Sequence, residues 1–289
     1  MTSLLHNKTS IIYGAGGGLG SGIALTFARE GATVFLAGRT RRSLERVAAQ
    51  IEAAGGRAEV SVVDALDAAA VDEHVQAVVA DAGGVDVSLN LISRGDVQGT
   101  PLIEMRVSDL MAPVTAGLRS NFLTARAAAR QMVSQGSGVI LSLTSGSSRG
   151  AAPLMGGTGP ADAATEALMR YLAAEIGPRG VRVLGQWTAG VPETFALEED
   201  TNPARVATGL TAEQIEAIIA PRTMLQRSPR LEQVAQAAAF LASDHAAGIT
   251  GTILNVTCGL VPGVALPHRH QLLRGHAAAA RAAASHRVL

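Results

Sequence analysis

The chain has 289 residues, a length for one large α/β domain or two small ones. Its 24 basic and 24 acidic residues cancel, which argues against nucleic acid as a partner, and its one cysteine, Cys258, excludes an internal disulfide and suits a reducing cytoplasm. No apolar run approaches ~18 residues and the opening MTSLLHNKTS lacks a basic segment followed by an apolar one, so neither a membrane span nor a signal peptide is expected.

Hydrophobic residues make up 47% but aromatics only 3%, so the core must be aliphatic and alanine-rich. The first element is the β-branched run Ile11-Ile12-Tyr13. It breaks into five glycines within residues 14–20 and resumes with helical spacing at Ile23, Ala24, Leu25, Phe27 and Ala28. Strand, glycine turn, helix is the order that lays a dinucleotide pyrophosphate on a helix N-terminus, where free amides and the helix dipole meet its charge. Residues 32–37 read as a second, buried strand, followed by Arg39, Arg41 and Arg42. Such sites hold the ribose hydroxyls of NAD with an acid at this place; arginines accommodate a 2′-phosphate, so NADP(H) is favoured over NAD(H).

Residues 44–54 form an amphipathic helix and 58–63 a third strand, closed by Asp64. A helix over 68–82 follows, its N-cap claimed equally by Asp64 and Asp67. The fourth strand spans 85–89 and runs into Asn90-Leu91-Ile92-Ser93. A long alanine-rich helix covers 113–134, a fifth strand 139–143, a helix 163–176 and a sixth strand 181–184. The stretch 195–221 has no strand character and turns helical near 212–220. A last helix at 231–242 and a seventh strand at 251–256 complete the pattern. Residues 264–289 differ from the rest, with four of the seven histidines, four arginines and no acid. This tail is expected either to be solvated or to dock on a neighbouring subunit or the active site.

Gly14, Gly18 and Gly20 are spaced G-x-x-x-G-x-G, and over residues 8–263 the chain resembles the short-chain dehydrogenase/reductase family. The resemblance implies an α/β fold: a single Rossmann-like, doubly wound domain over residues 1–263, a seven-stranded parallel sheet flanked by helices on both faces. It implies hydride transfer between a nicotinamide cofactor and a small alcohol or ketone, with a substrate lid at 195–224. The implied cofactor contacts are Gly14, Gly18, Leu19 and Gly20 at the pyrophosphate, Arg39 and Arg41 near the adenosine, Asp64 at the adenine amino group, Ala65, Asn90 and Thr194. In the family the helices at 113–134 and 163–176 commonly pack across a dimer axis. That implies a homo-oligomer, dimer or tetramer, or a hetero-oligomer with an active relative.

The family's chemistry uses a serine after the fifth strand, a tyrosine thirteen residues later, a lysine four beyond that, and an asparagine in the preceding helix. Ser145 stands in the serine place, but Thr158 and Asp162 occupy those of tyrosine and lysine, and Gly117 that of asparagine, with Asn121 one turn along. Lys8 is the only lysine, so no Tyr-x-x-x-Lys exists in any register. An aliphatic hydroxyl is a far weaker acid than a phenol, and a carboxylate beside it raises its pKa further. The tyrosine–lysine mechanism is therefore excluded. By resemblance, Asp162 would instead accept from the nicotinamide ribose hydroxyls. Three readings stay open: an oxidoreductase with a rearranged proton path, an inert cofactor-binding subunit, or a cofactor-dependent sensor. No metal ligand set is evident.

Overall fold

Seven aliphatic runs become the strands of one sheet: β1 (Thr9–Tyr13), β2 (Thr33–Gly38), β3 (Arg57–Val62), β4 (Val87–Asn90), β5 (Gly138–Thr144), β6 (Val181–Thr188) and β7 (Ile253–Val256). All pair in parallel, in the order β3-β2-β1-β4-β5-β6-β7. The computed structural model describes residues 3–150, 152–195 and 211–261. The tail at 264–289 and residues 196–210 of the expected lid lie outside them.

Strand periodicity sorts the core into two layers. Ile12, Leu36, Leu89, Leu141 and Leu184 face α1 (Gly18–Arg29), α2 (Arg41–Ala53) and, late in the chain, the helix Leu231–Ala242. Ile11, Tyr13, Phe35, Ile140 and Val183 face α3 (Ala68–Ala82), α4 (Val107–Gln135) and α5 (Thr158–Ile176). With α6 at Ala212–Ile219, the helix at Leu231–Ala242 is α7. Alanines and glycines let the helices approach closely: a Cβ on Gly22 of α1 would lie 2.6 Å from the Leu231 side chain of α7. Each large side chain buried in these layers, such as Phe27 or Ile51, contributes ~1.5–3 kcal/mol. No helix among the described residues is long and apolar enough to cross a membrane.

Three boundaries lie four or more residues from expectation. α4 starts at Val107 rather than near Pro113, because its first turns carry exposed Val107 and Met111 and show no inward apolar stripe. α5 starts at Thr158 rather than 163; Pro160 sits in its first turn, where the missing amide hydrogen costs little. β6 runs on to Thr188. At the start of α3, Asp67 is the cap, accepting from the amides of Ala69 (2.9 Å) and Ala70 (3.3 Å).

Under α3 the Tyr13 hydroxyl meets His74 Nδ1 at 3.2 Å, and His74 Nε2 is buried with no partner among the described residues. Burial pushes the His74 pKa from 6.5 down to about 4, so the folded protein holds this imidazole neutral. The unfolded chain binds the proton first; stability is therefore full above pH 6.5 and falls as the pH drops through that window toward 4. At 1.36 kcal/mol per unit the loss is roughly 3 kcal/mol. Urea unfolding across this range should show that slope for the native chain and a flatter one for His74→Gln; equal slopes would refute the assignment.

Candidate active site

β1 and β4 lie side by side while their following connections run to opposite sheet faces, so a crevice opens at their C-terminal ends. The glycine turn lines it. Gly14 has φ +82°, and a Cβ there would lie 2.6 Å from the Leu91 carbonyl oxygen; a Cβ on Gly20 would run into the Gly14 carbonyl. No side chain caps α1 at Gly17, so the start of the helix through Gly18, Leu19 and Gly20 presents bare backbone. A turn that excludes side chains, leading into an uncapped helix N-terminus, fits a dinucleotide pyrophosphate.

At the end of β2, Arg39 is exposed, and Arg41, also exposed, pairs with Glu45 at 3.6 Å. Two residues from α2 that sequence reasoning passed over touch the glycine turn: Arg46 donates to the Gly16 carbonyl at 3.4 Å, and Ser43 Oγ fills the space a Cβ on Gly16 would need. Asp64 closes a local turn by accepting from the Leu66 amide at 3.0 Å, beside buried Ala65. Asn90 links β4 to α4, donating to Thr124 Oγ1 at 3.2 Å and accepting from the Ile92 amide at 3.0 Å. Thr194 is fully buried and donates to the Val191 carbonyl at 2.8 Å.

The four residues expected at the chemistry separate. Ser145 and Asp162 come together: Ser145 Oγ donates to Asp162 Oδ2 at 2.6 Å, and the amides of Ser145 (3.1 Å) and Ser147 (3.0 Å) donate to the same oxygen. Ser147 Oγ lies 2.7 Å from Ser145 Oγ. Thr158 is 3% exposed; its hydroxyl donates to Asp96 at 2.7 Å and accepts from Gln98 Nε2 at 3.1 Å, so its hydrogen is committed to Asp96. Asn121 turns back on its own helix and donates to the Gly117 carbonyl at 2.9 Å.

Asp162 corrects a further expectation. Rather than turning a carboxylate toward a ribose, its side chain is fully buried and both oxygens have protein partners, Oδ1 being bound by Arg94 Nη1 at 2.7 Å. Arg94 also grips Asp96 through Nε, at 3.1 and 3.0 Å. Its stem passes over α4 at Gly117, where a Cβ would come within 3.1 Å of Arg94 Cδ. Sequence reasoning missed Arg94. The available signal was an arginine directly after Asn90-Leu91-Ile92-Ser93 in a chain that puts an acid in the lysine's place.

Burial pushes the Asp162 carboxyl above its ordinary range, although Arg94 and the serine-loop donors pull it down. Burial alone would lower the Arg94 pKa, but Asp162 and Asp96 reverse this and hold the guanidinium firmly charged. One cation faces two acids, so a proton can reside in this cluster.

One turn along α5, buried Glu166 accepts from Thr144 Oγ1 (3.1 Å), Ser148 Oγ (2.7 Å) and Trp187 Nε1 (2.9 Å). Two acids of one helix thus pin the loop that carries Ser145. A cavity of about 410 Å³ between α3 and α4, lined by Asp72, Val75 and Gln131 among others, shares no residue with this constellation. Among the described residues no group of three His, Cys, Asp or Glu is placed to hold a metal.

A family profile described as enoyl-(acyl carrier protein) reductase matches residues 14–261. The chain is similar to the 7alpha-hydroxysteroid dehydrogenase of Escherichia coli (strain K12), 29% identical over 88% of this chain and 94% of that protein. It is similar to an uncharacterized oxidoreductase of Mycobacterium tuberculosis (strain CDC 1551 / Oshkosh), 32% identical over 91% and 96% of the two chains. Among solved structures, a 7 alpha-hydroxysteroid dehydrogenase complexed with NADH and 7-oxo glycochenodeoxycholic acid superposes with a TM-score of 0.78 at 27% identity, covering 89% of this chain and 96% of that one.

Proposed function

The chain belongs to the short-chain dehydrogenase/reductase family, and on that premise we propose that it is an NADP(H)-dependent oxidoreductase whose proton passes through Ser145 and Asp162. The observation that carries this reading is the 2.6 Å contact between the Ser145 hydroxyl and a buried acid. The bound cofactor supplies or accepts the hydride. In reduction, Ser145 Oγ gives its proton to the carbonyl oxygen as that oxygen gains charge, and Asp162 returns one to Ser145. This direction starts from Asp162 carrying a solvent-derived proton that it donates to Ser145, the reverse of the hydrogen bond in the structure; the acid becomes a carboxylate and is reprotonated from solvent. In oxidation the carboxylate draws the proton from the alcohol through the same serine. The amides of Ser145 and Ser147 and the Arg94 guanidinium stabilise the ionised form of Asp162. Hydride transfer also gains from holding the reactants in register, which supplies ~7–11 kcal/mol at best.

Arg39 and Arg41, with no acid at the end of β2, support the 2′-phosphate preference. A charge-assisted hydrogen bond of ~1.5–3 kcal/mol corresponds to a roughly ten- to hundredfold preference for NADP(H). A homo-oligomer joined across α4 and α5 is part of this reading, supported by exposed Leu118, Phe122 and Tyr171.

The test is to assay the purified protein with NADPH and NADH over ketones and alcohols as a function of pH. Reduction should fall as pH rises through the raised Asp162 pKa, and oxidation should rise over the same window. Ser145→Ala should lose ~10²–10⁴-fold. A second reading, an inert cofactor-binding subunit, is favoured by one observation: Thr158 and Ser145 both have their hydrogens committed to internal acids. Cofactor binding without turnover on any substrate would select it.

A further inference from the structure

We propose that Arg94 is the positioning residue of this site, the cation that takes over from the absent lysine by clamping Asp162 in the orientation that meets Ser145. The inference rests on the proton path assigned to Ser145 and Asp162 above, and it is carried by four positions that fit one another. The loop after β4 supplies Arg94, whose Nη1 binds Asp162 Oδ1 at 2.7 Å and leaves Oδ2 to Ser145. α4 makes way for the stem at Gly117, since any larger side chain would press on Arg94 Cδ. Asp96 holds the guanidinium from its other edge and is held in turn by the Thr158 hydroxyl at 2.7 Å. Asp162 itself is fully buried and would stand as an uncompensated charge without this partner.

The three positions at which this chain departs from the family's catalytic residues are thus one connected set. Gly117, Thr158 and Asp162 each contact Arg94 or the acid that braces it. Arginine suits the task better than lysine: its planar fork binds two carboxylates at once, while an ammonium acts as a single point charge. Among the described residues the charged group in contact with Asp162 is Arg94, itself paired with Asp96 in the loop after β4; the loop after β5 meets Asp162 through the Ser145 hydroxyl and the amides of Ser145 and Ser147.

The experiment compares the full-length native protein with Arg94→Met, Arg94→Lys, Asp162→Asn and the double variant Arg94→Met/Asp162→Asn. Infrared difference spectra over a pH series, with Asp162→Asn assigning the carboxyl band, read the ionisation of Asp162 without any turnover. Removing an opposite charge at this range should move that titration up by about 1–3 pH units in Arg94→Met, and Arg94→Lys should restore most of it. The pH profile of kcat/KM should move by the same amount. If Arg94→Met fails to fold, the double variant decides. A positioning role predicts that it folds and behaves as Asp162→Asn alone, whereas independent packing roles predict that the two losses add. An unshifted Asp162 titration, or additive losses, would overturn the proposal. A shifted titration in a protein without turnover would uphold Arg94 as the clamp and refute the oxidoreductase reading by itself.

Discussion

Replacing Asp162 with lysine, which restores the family's residue at that place, should unfold the protein. The side chain is fully buried, Arg94 Nη1 lies 2.7 Å from one of its oxygens, and two amides and a hydroxyl point at the other. A lysine offers no acceptor to any of these donors. Breaking a buried pair by removing one partner costs about 3–5 kcal/mol. Setting a second cation ~4 Å from the guanidinium adds up to ~4 kcal/mol at an effective dielectric near 20. Together these approach the whole stability of an ordinary domain, ~5–15 kcal/mol. Thr158→Tyr meets the same obstacle in steric form, because Thr158 is buried beneath Asp96 and Gln98. The glycines before it are also close-packed: a Cβ on Gly156 would strike the Val97 carbonyl and one on Gly157 the Leu110 carbonyl. Urea denaturation with near-ultraviolet dichroism measures both variants. An Asp162→Lys protein that unfolds at the native midpoint would show that the carboxylate is not held as described.

The sheet was legible because parallel strands buried on both faces must be written as short aliphatic runs, and residues 11–13, 32–37, 139–143 and 181–184 are such runs. The glycine turn was legible for a similar reason: the close approach of Gly14 to Leu91 and of Gly20 to Gly14 admits no side chain. What stayed hidden was the partner of each buried acid. Arg94 and Asp162 are 68 residues apart, and the loop that carries Arg94 has no periodicity from which to place it. One local sign was available. Thr158, Ala161, Asp162, Thr165, Glu166, Met169 and Ala173 form the buried stripe of α5, so both acids sit at core positions on helical spacing alone. Two carboxylates on an inward stripe require donors from across the sheet. The sequence reading of Asp162 as a ribose ligand leaves that requirement out.

Glu166→Ala should lower stability by roughly 3–9 kcal/mol, because it strands the Thr144 and Ser148 hydroxyls and the Trp187 indole N–H together, at ~1–3 kcal/mol for each buried donor left unpaired. At ~2–4 °C per kcal/mol for a domain of this order, the melting midpoint should fall by roughly 6 °C or more. Glu166→Gln keeps one acceptor oxygen and should recover much of the loss. The chain holds a single tryptophan, so its emission reports this contact without interference: losing the acceptor at 2.9 Å from Nε1 should shift the Trp187 spectrum in Glu166→Ala. The consequence for chemistry follows from position. Thr144 and Ser148 flank Ser145, so the loop that presents the serine hydroxyl loosens when Glu166 goes, while the glycine turn after β1 keeps its own contacts. Turnover should therefore drop more than cofactor affinity. An alanine variant with native emission and a native midpoint would mean that the loop stands without Glu166. The clamp on Asp162 alone would then have to fix Ser145.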